Sequence, residues 1–249
     1  EDKVALVIGG GGHLCGAMAI ALAKAGACVI VADLRPEKAE GVCKLIRSDT
    51  AVSTMAITID ATVKEHHENV LASILDKYSR IDIVVNGAGI NSSCPVLDID
   101  LDEWYKVINS QVTATLLGCQ VFGESMIKKG SGSIINISSA SADPPLSKAF
   151  AYSVAKAGIV NLTKNLGREW AKYGVRVNAI RPGFFPTEWN RKNFITPDRE
   201  KAILNHTPMG RYGHPNELVG ALLWLSSSSS SFVTGSELTV DGGFSCMTI

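Results

Sequence analysis

Short apolar runs alternate with longer segments of helical period along the whole chain. The apolar runs are rich in valine and isoleucine and predict seven strands, at Val4–Ile8, Val29–Ala32, Met55–Ile59, Ile81–Val85, Ser133–Ile137, Val175–Ile180 and Glu237–Val240. The segments between them predict helices, at Gly16–Ala25, Pro36–Arg47, Val63–Tyr78, Leu101–Lys128, Ala151–Lys172 and Asn216–Leu225. Strands that are apolar on both faces and separated by helices predict a single doubly wound α/β domain, with a parallel sheet covered by helices on both faces.

One long segment, about residues 184–208, has no clear place in this sheet. It carries the aromatic residues Phe184, Phe185, Trp189 and Phe194. Long excursions from a compact domain are often lids or binding loops, so the segment is predicted to be a substrate lid. A surface helical hairpin is the alternative.

The composition excludes several classes of protein. Of the 249 residues 46% are apolar and 19% charged, with a formal net charge of zero, which argues against nucleic acid or an anionic membrane as the partner. No apolar run reaches the ~18 residues of a membrane span, and the start shows no signal-peptide pattern. Six cysteines are scattered without CxxC pairs, so a reducing cytoplasm is expected.

The adjacent histidines His66 and His67 are the one cluster that could suggest a metal. They lie in a polar helical stretch without a matching cysteine or third ligand. A solvated helix face is the better interpretation, and no metal site is predicted.

The first predicted strand runs into four glycines, Gly9 to Gly12, and then into an alanine-rich helix. Such a turn offers backbone N–H groups and the positive end of a helix dipole to a pyrophosphate. Asp33 ends the second strand about twenty residues on, where a carboxylate can accept hydrogen bonds from a ribose diol and repel a 2′-phosphate. This pattern favours NAD over NADP, although Arg35 nearby could accommodate the phosphate.

A tyrosine and a lysine four residues apart, Tyr152 and Lys156, share one face of a predicted helix, and Ser139 lies upstream at the end of an apolar strand. An ammonium beside a phenol favours the phenolate, so the pKa of Tyr152 is expected to fall and the phenol to exchange a proton near neutral pH. The Ser139 hydroxyl can hold the oxygen of a carbonyl or alcohol against the phenol.

Together these motifs resemble the short-chain dehydrogenase/reductase family over essentially the whole chain, which implies a Rossmann-type fold. The segment Asn86-Gly-Ala-Gly89, the Ser139, Tyr152 and Lys156 set, Pro182-Gly183 followed by Thr187, and Asp241-Gly-Gly243 follow the order of the family's motifs. The resemblance implies a cofactor site made of Gly9, Gly12, His13, Leu14, Asp33, Leu34, Asp60, Ala61, Asn86, Ala88, Gly89, Ile137, Tyr152, Lys156, Pro182, Gly183, Phe185 and Thr187.

Two motifs depart from the family pattern. The glycine-turn pattern TGxxxGxG falls on Ile8, Gly9, His13 and Cys15, so three of its positions are altered. The family's catalytic asparagine falls on Gln111, and the extra methylene could move a water relay that reaches Lys156.

The resemblance implies hydride transfer between a nicotinamide and a secondary alcohol or ketone, with Tyr152 as acid or base, Ser139 orienting the substrate oxygen, and Lys156 and Gln111 assisting. The chain is most similar to the mannonate/fructuronate oxidoreductase and gluconate 5-dehydrogenase groups, so a sugar acid or polyol is expected. Candidate substrate contacts are Asn91, Arg191 and Lys192. The alternatives are a gluconate, polyol or 3-oxoacyl reductase, or a nucleotide-binding protein without catalysis. The family also implies a homotetramer, packed through the long helices and the C-terminal strand.

Overall fold

A computed structural model describes residues 2–143, 146–187, 190–192 and 195–247. Its seven strands are β1 Val4–Ile8, β2 Cys28–Asp33, β3 Thr54–Thr58, β4 Ile83–Asn86, β5 Gly132–Ile137, β6 Val175–Pro182 and β7 Glu237–Val240. Its helices include α1 His13–Lys24, α2 Pro36–Asp49, α3 Lys64–Tyr78, α4 Leu101–Ile108, α5 Ala114–Lys129, α6 Phe150–Trp170, α7 Pro197–Asn205 and α8 Val219–Ser226.

All seven strands form one parallel sheet in the order β3-β2-β1-β4-β5-β6-β7. This confirms the predicted doubly wound α/β fold. The chain leaves β1 toward β2 on one side and returns to β4 on the other, so β1 and β4 flank a topological switch point. In open α/β sheets, ligands bind outside the carboxyl ends of the strands at such a point.

Alternate residues of the strands feed two separate cores, one on each face of the sheet. Val7 packs with apolar residues of α1, α2 and α8, whereas Leu6 packs with residues of α3, α5 and α6. Both faces are buried, which explains why the strands read as continuous apolar runs rather than as alternating patterns.

Several predicted boundaries shift in the structure. The predicted helix Leu101–Lys128 consists of α4 and α5 joined by a π-helical segment, Asn109–Thr113. Helix α1 begins at His13 rather than at Gly16, and a 3₁₀ turn at Pro215–Leu218 precedes α8. Helix α7, inside the expected lid, has no counterpart among the predicted helices.

The prediction that His66 and His67 share a solvated face is wrong for His67. Its ring is completely buried on α3, where it packs edge-on against Phe122 and its Nε2 lies 2.9 Å from the Ala61 carbonyl oxygen. Burial lowers the pKa of His67, which is the direction expected for an imidazole surrounded by apolar atoms. Across the described ranges, no group of three His, Cys, Asp or Glu side chains is placed to hold a metal.

Among the helices of the described residues, none is both long enough and apolar enough to cross a membrane.

Candidate active site

The glycine turn lies between β1 and α1, against the loop that follows β4. Gly9 has a φ of 75°, and a Cβ there would lie 2.8 Å from the Ala88 backbone nitrogen, so only glycine fits this approach. Gly12 is the N-cap of α1. The N–H groups of Gly10, Gly11 and Gly12 are themselves bonded to the Ala32 carbonyl, the Asp33 carboxylate and the Gly9 carbonyl. The N–H groups left for an anion are therefore those of the first turn of α1, which have no intrahelical acceptor.

Asp33 ties the end of β2 to this turn. Its carboxylate is 5% exposed and accepts hydrogen bonds from the backbone N–H groups of Gly11 and Arg35, each at 3.0 Å. The Arg35 Nε adds an ion pair at 3.3 Å. A ribose diol that reaches this carboxylate would thus meet an acceptor whose position is already fixed. The neighbouring Leu34 side chain is largely exposed.

Two of the three altered positions of the glycine pattern, His13 and Cys15, have different environments. His13 is exposed, and partial desolvation and the nearby His214 lower its pKa. Cys15 is buried and its Sγ contacts Gly87, where any Cβ would overlap the sulfur. Burial raises the pKa of the Cys15 thiol to about 12, so the thiol stays protonated. The glycine at position 87 provides the space that a glycine at position 15 would otherwise give.

Ser139, Tyr152 and Lys156 come together at the carboxyl end of β5. The Lys156 Nζ donates a hydrogen bond to the Ile137 carbonyl oxygen at 2.7 Å and lies 5.4 Å from the centroid of the Tyr152 ring. The Ser139 Oγ accepts from the Ser141 backbone N–H at 3.2 Å and is close enough to Tyr152 to lower the pKa of that phenol. Burial lowers the pKa of Lys156 to about 8, because its ammonium is almost completely removed from water.

The expected fall in the pKa of Tyr152 is wrong for this structure. Desolvation raises the pKa of the phenol, and the contact with Ser139 offsets only part of that rise. The sequence places the ammonium on the same helix face, but the Lys156 Nζ bonds the Ile137 carbonyl oxygen instead of the phenol. The pKa of Tyr152 therefore rises because the phenol is desolvated and the Lys156 ammonium is too far from it to compensate.

A buried polar chain connects the elements that carry these residues. The Asn86 Nδ2 donates to the Asn136 Oδ1 at 2.9 Å, and the Asn136 Nδ2 donates to the Thr163 Oγ1 at 3.0 Å. The three side chains belong to β4, β5 and α6. Sequence reasoning predicted Asn86 but missed Asn136 and Thr163, although an asparagine inside an apolar strand is a signal that could have indicated such a link.

Gln111 lies in the π-helical segment and is 3% exposed. Its Nε2 donates to the Ile90 carbonyl oxygen at 2.9 Å, and its side chain packs against Gly89. The Oε1 has no hydrogen-bond partner within the described residues. The Gln111 side chain thus supports the loop after β4, at the end of the Asn86-Gly-Ala-Gly89 segment.

On the other side of the turn, Asp60 and Ala61 follow β3. The Asp60 Oδ1 accepts from the Thr62 backbone N–H at 2.9 Å and from the Thr62 hydroxyl at 2.6 Å, and these bonds lower the pKa of the carboxyl. The His66 Nδ1 accepts from the Asp60 backbone N–H at 3.1 Å. Both histidines of α3 therefore bind this loop.

β6 ends at Pro182, and the N–H of the following Gly183 donates to the Val240 carbonyl oxygen at 3.0 Å. Phe184 and Phe185 line a cavity of about 390 Å³ together with Met209, Arg211 and Asp241. This cavity was not predicted from the sequence, because its walls come from segments some 25 to 60 residues apart in the chain.

Further along, the Thr187 Oγ1 accepts from the Asn190 backbone N–H at 3.0 Å, and the Arg191 guanidinium lies 4.7 Å from the centroid of the Tyr212 ring. Lys192 and Asn91 are exposed. Trp189 and Phe194, two of the aromatic residues of the expected lid, lie outside the described residues.

The strand order and the glycine turn at the switch point define a Rossmann-type domain. A family model described as Enoyl-(Acyl carrier protein) reductase matches residues 14–245. The chain belongs to the short-chain dehydrogenase/reductase family and is an oxidoreductase of the kind that acts on CH–OH groups.

Two relatives and one solved structure illustrate the likeness. The "Uncharacterized oxidoreductase UxuB" of Bacillus subtilis is 38% identical over 97% of this chain and 94% of its own length. The NAD-dependent glycerol dehydrogenase of Listeria innocua is 35% identical over 98% of this chain and 94% of its own. The crystal structure of a gluconate 5-dehydrogenase from Burkholderia cenocepacia, in complex with NADP and tartrate, has a TM-score of 0.94 at 30% identity and covers 100% of this chain and 97% of that chain.

Proposed function

We propose that this protein is an NAD(H)-dependent oxidoreductase that interconverts a secondary alcohol and a ketone of a sugar acid or polyol. The observation that carries the proposal is the convergence of Ser139, Tyr152 and Lys156 at the carboxyl end of β5, beside the switch point of the sheet. A member of the family that had lost catalysis would have no need to keep a buried lysine beside this tyrosine.

The residues present fit a nicotinamide dinucleotide. The glycine turn would let the pyrophosphate approach the start of α1, whose first N–H groups, beginning with His13 and Leu14, would hold it. The buried Asp33 carboxylate would accept from the adenosine ribose. Asp60 and Ala61 would line the adenine, and the segment from Pro182 to Thr187 the nicotinamide end. When bound, the nicotinamide supplies or accepts the hydride.

The side chains of the protein handle the proton and the orientation of the substrate. Tyr152 gives a proton to the ketone oxygen or takes one from the alcohol, and Ser139 donates a hydrogen bond that holds this oxygen at the phenol. Lys156 has a pKa of about 8 and can exchange a proton with its surroundings near neutral pH. Gln111 supports the loop after β4, and we assign it a supporting role in place of the asparagine of the family.

Asp33 supports NAD over NADP. Its carboxylate is buried and already bonded by two N–H groups, and a 2′-phosphate beside it would meet a fixed negative charge. Arg35 works in the opposite direction, because its ion pair neutralises part of that charge. The glycerol dehydrogenase relative is named for NAD, whereas the gluconate 5-dehydrogenase structure holds NADP, so relatives of both kinds exist.

We assign the substrate class from the relatives and from the lid. Glycerol and gluconate, named in two relatives, are a polyol and an aldonate. D-mannonate with fructuronate is the pair that we favour, from the resemblance of the sequence to the mannonate/fructuronate oxidoreductase group. Arg191 and Lys192 provide cations in the 184–208 segment, which we propose closes over the substrate as a lid, and Asn91 is a further candidate contact. Arg191 stacks on Tyr212, so its guanidinium has a defined position from which to meet a carboxylate.

A substrate panel tests this function. Purified enzyme is assayed with D-mannonate, D-gluconate, glycerol, threitol and xylitol with NAD and NADP, and with fructuronate and acetoacetyl-CoA with NADH and NADPH. We expect the highest kcat/KM with an aldonate or polyol and NAD, and a rise in the aldonate KM in Arg191→Ala. Acetoacetyl-CoA as the best substrate would instead favour a 3-oxoacyl reductase, the activity for which several relatives of 31% to 34% identity are named.

Tyr152→Phe tests the chemistry. It removes only the hydroxyl, so NADH binding should persist while kcat falls by about 10²- to 10⁴-fold, the usual contribution of a general acid or base. Phe150→Tyr, on the same helix but 43% exposed, is a matched control that should keep full turnover. Near wild-type turnover in Tyr152→Phe would remove this residue from the mechanism.

For the assembly, we propose a homotetramer. Leu101 and Tyr105 on α4 and Val154 on α6 are large apolar side chains that are more than half exposed. Their helices are the ones that the family resemblance assigns to packing. Light scattering after size exclusion should give four times the chain mass of 26.5 kDa, and a monomer would contradict the proposal.

A further inference from the structure

Arg181 is a buried cation that the proposed mechanism does not use. It lies near the carboxyl end of β6, one residue before Pro182, and is 7% exposed. Its guanidinium bonds two carboxylates, those of Glu237 on β7 and of Asp143. Glu237 is nearly buried, whereas the Asp143 side chain is 78% exposed and lies 3.3 Å from the Arg181 Nη1.

Asp143 belongs to the turn that carries the catalytic serine. A 3₁₀ turn at Ala140–Ala142 has Ser139 as its N-cap and Asp143 as its C-cap. The Ala142 N–H donates to the Ser139 carbonyl oxygen at 2.9 Å, and the Ser141 hydroxyl lies 3.2 Å from the Ser139 Oγ. A movement of Asp143 is therefore passed along a short hydrogen-bonded turn to Ser139.

Arg181 also lies beside the strand end from which this turn starts. The Ser138 N–H donates to the Ile180 carbonyl oxygen at 2.8 Å, one residue before Arg181. The turn is thus bonded to β6 twice, by the backbone at its start and by the Asp143 carboxylate at its end.

The two carboxylates have different consequences for Arg181. Glu237 alone can balance the buried charge, and its hydrogen bond is the main reason that the pKa of Arg181 is raised. Asp143 is exposed, and exposed ion pairs add little to stability. What the contact with Asp143 does add is a fixed position for the end of the serine turn.

We infer that Asp143 and Arg181 are positioning residues, which hold the turn of Ser139 against β6 so that its hydroxyl meets the substrate oxygen. The inference rests on the role proposed above for Ser139. It requires that Asp143 act on turnover through Ser139 and not through the fold as a whole.

A double-mutant cycle tests this requirement. Asp143→Ala and Asp143→Asn are made in the wild type and in Ser139→Ala, and kcat and KM are measured with NAD and the best alcohol of the panel. In the wild type we expect kcat to fall about 3- to 10-fold, since small misplacements of a reacting group are costly, with the KM for NAD unchanged. In Ser139→Ala the same substitutions should change kcat by less than about 1.5-fold, because the group they position is gone. Asp143→Glu keeps the charge and should recover part of the loss.

Asp49→Ala is the matched control, since it breaks another exposed ion pair, with Lys24 on α1, and should leave kcat unchanged. Equal losses in both backgrounds, or no loss in the wild type, would overturn the inference. If Ser139→Ala itself kept full turnover, the role proposed for Ser139 would be wrong. The cycle separates this result from a failure of Asp143 to position the serine turn.

A second measurement does not depend on activity. Amide hydrogen exchange of the unliganded enzyme should show faster exchange at residues 139–143 in Asp143→Ala, with β5 and α6 unchanged. Unchanged exchange in the turn would overturn the inference that Asp143 holds it against β6, even where turnover has fallen.

Discussion

Replacing Asp33 by asparagine keeps the shape of the side chain and removes one negative charge from the proposed ribose site. The native carboxylate receives the N–H groups of Gly11 and Arg35, at 3.0 Å each, and the Arg35 Nε at 3.3 Å. The two N–H groups reach different oxygens, so an asparagine amide can accept from one and must turn its NH₂ group toward the other. The substitution therefore weakens both the ribose acceptor and the support of the glycine turn.

The size of the effect follows from the kind of hydrogen bond lost. A hydrogen bond to a charged group contributes about 1.5 to 3 kcal/mol, so the loss of one such bond to the ribose 2′-hydroxyl weakens NAD by roughly 10- to 150-fold. NADP carries a phosphate at this position and loses no such bond. The charge that repelled the phosphate disappears while the Arg35 cation remains. Apart from any loss through the glycine turn, which both cofactors share, we therefore expect NADP binding to be unchanged or stronger, and the NAD to NADP preference to fall by about one to two orders of magnitude.

Dissociation constants for NADH and NADPH, measured by calorimetry on the wild type and on Asp33→Asn, check this reasoning. Asp49→Asn is a matched control, since it removes an exposed carboxylate from α2 that pairs with Lys24. A thermal melt without cofactor separates a damaged glycine turn from a lost ribose contact. Equal weakening of NADH and NADPH would refute the ribose contact, because a disrupted turn would affect both through their common pyrophosphate.

Two further predictions concern stability. Burial lowers the pKa of Lys156 to about 8 in the folded protein, from an ordinary value of 10.5, so its buried charge destabilises the fold below pH 8. Between pH 8 and pH 10.5 the unfolded state binds more protons than the folded state, so the free energy of unfolding rises with pH. Lys156→Met should therefore raise the free energy of unfolding at pH 7 by on the order of 2 kcal/mol, a gain that shrinks toward pH 10 in urea titrations; a gain independent of pH would contradict the buried-charge argument. Gly87→Ala should destabilise by about 1 to 3 kcal/mol through overlap with the Cys15 sulfur, and Cys15→Ala should relieve much of that loss in the double variant, whereas additive losses would exclude the contact.

The sequence predicted the fold well because the sheet is parallel and buried on both faces. Such strands are short valine and isoleucine runs, and the pattern does not depend on how neighbouring strands are paired. Helix α7 was missed because only Ile203 of its residues is buried, which leaves little apolar periodicity. Its start signal was nevertheless present, since Thr196 caps the helix by accepting from the Arg199 N–H and Pro197 follows at the first helical position.

The parts of the site that sequence reasoning missed depend on contacts between distant residues. Asp143 and Arg181 are 38 positions apart, and their pairing follows from the register of β5 and β6 rather than from any local pattern. The direction of the Tyr152 pKa likewise depends on how far the phenol is desolvated and on which acceptor Lys156 chooses. Residue types and spacing identify the groups of a site, but burial and partner choice decide their charge states.

The buried chain from Asn86 through Asn136 to Thr163 explains why such a site can keep its geometry. An apolar core of the same volume would stabilise the contact between β4, β5 and α6, but it would allow the helix to shift along the sheet without a large penalty. A shift of α6 would leave the buried amides without partners, which costs about 1 to 3 kcal/mol for each group. Lys156 lies two helical turns before Thr163 on α6 and bonds the Ile137 carbonyl at the end of β5. The same chain of hydrogen bonds therefore fixes the lysine relative to the end of β5, from which Ser139 follows. The polar link therefore sets the position of α6, and with it the distance between the phenol, the ammonium and the serine hydroxyl.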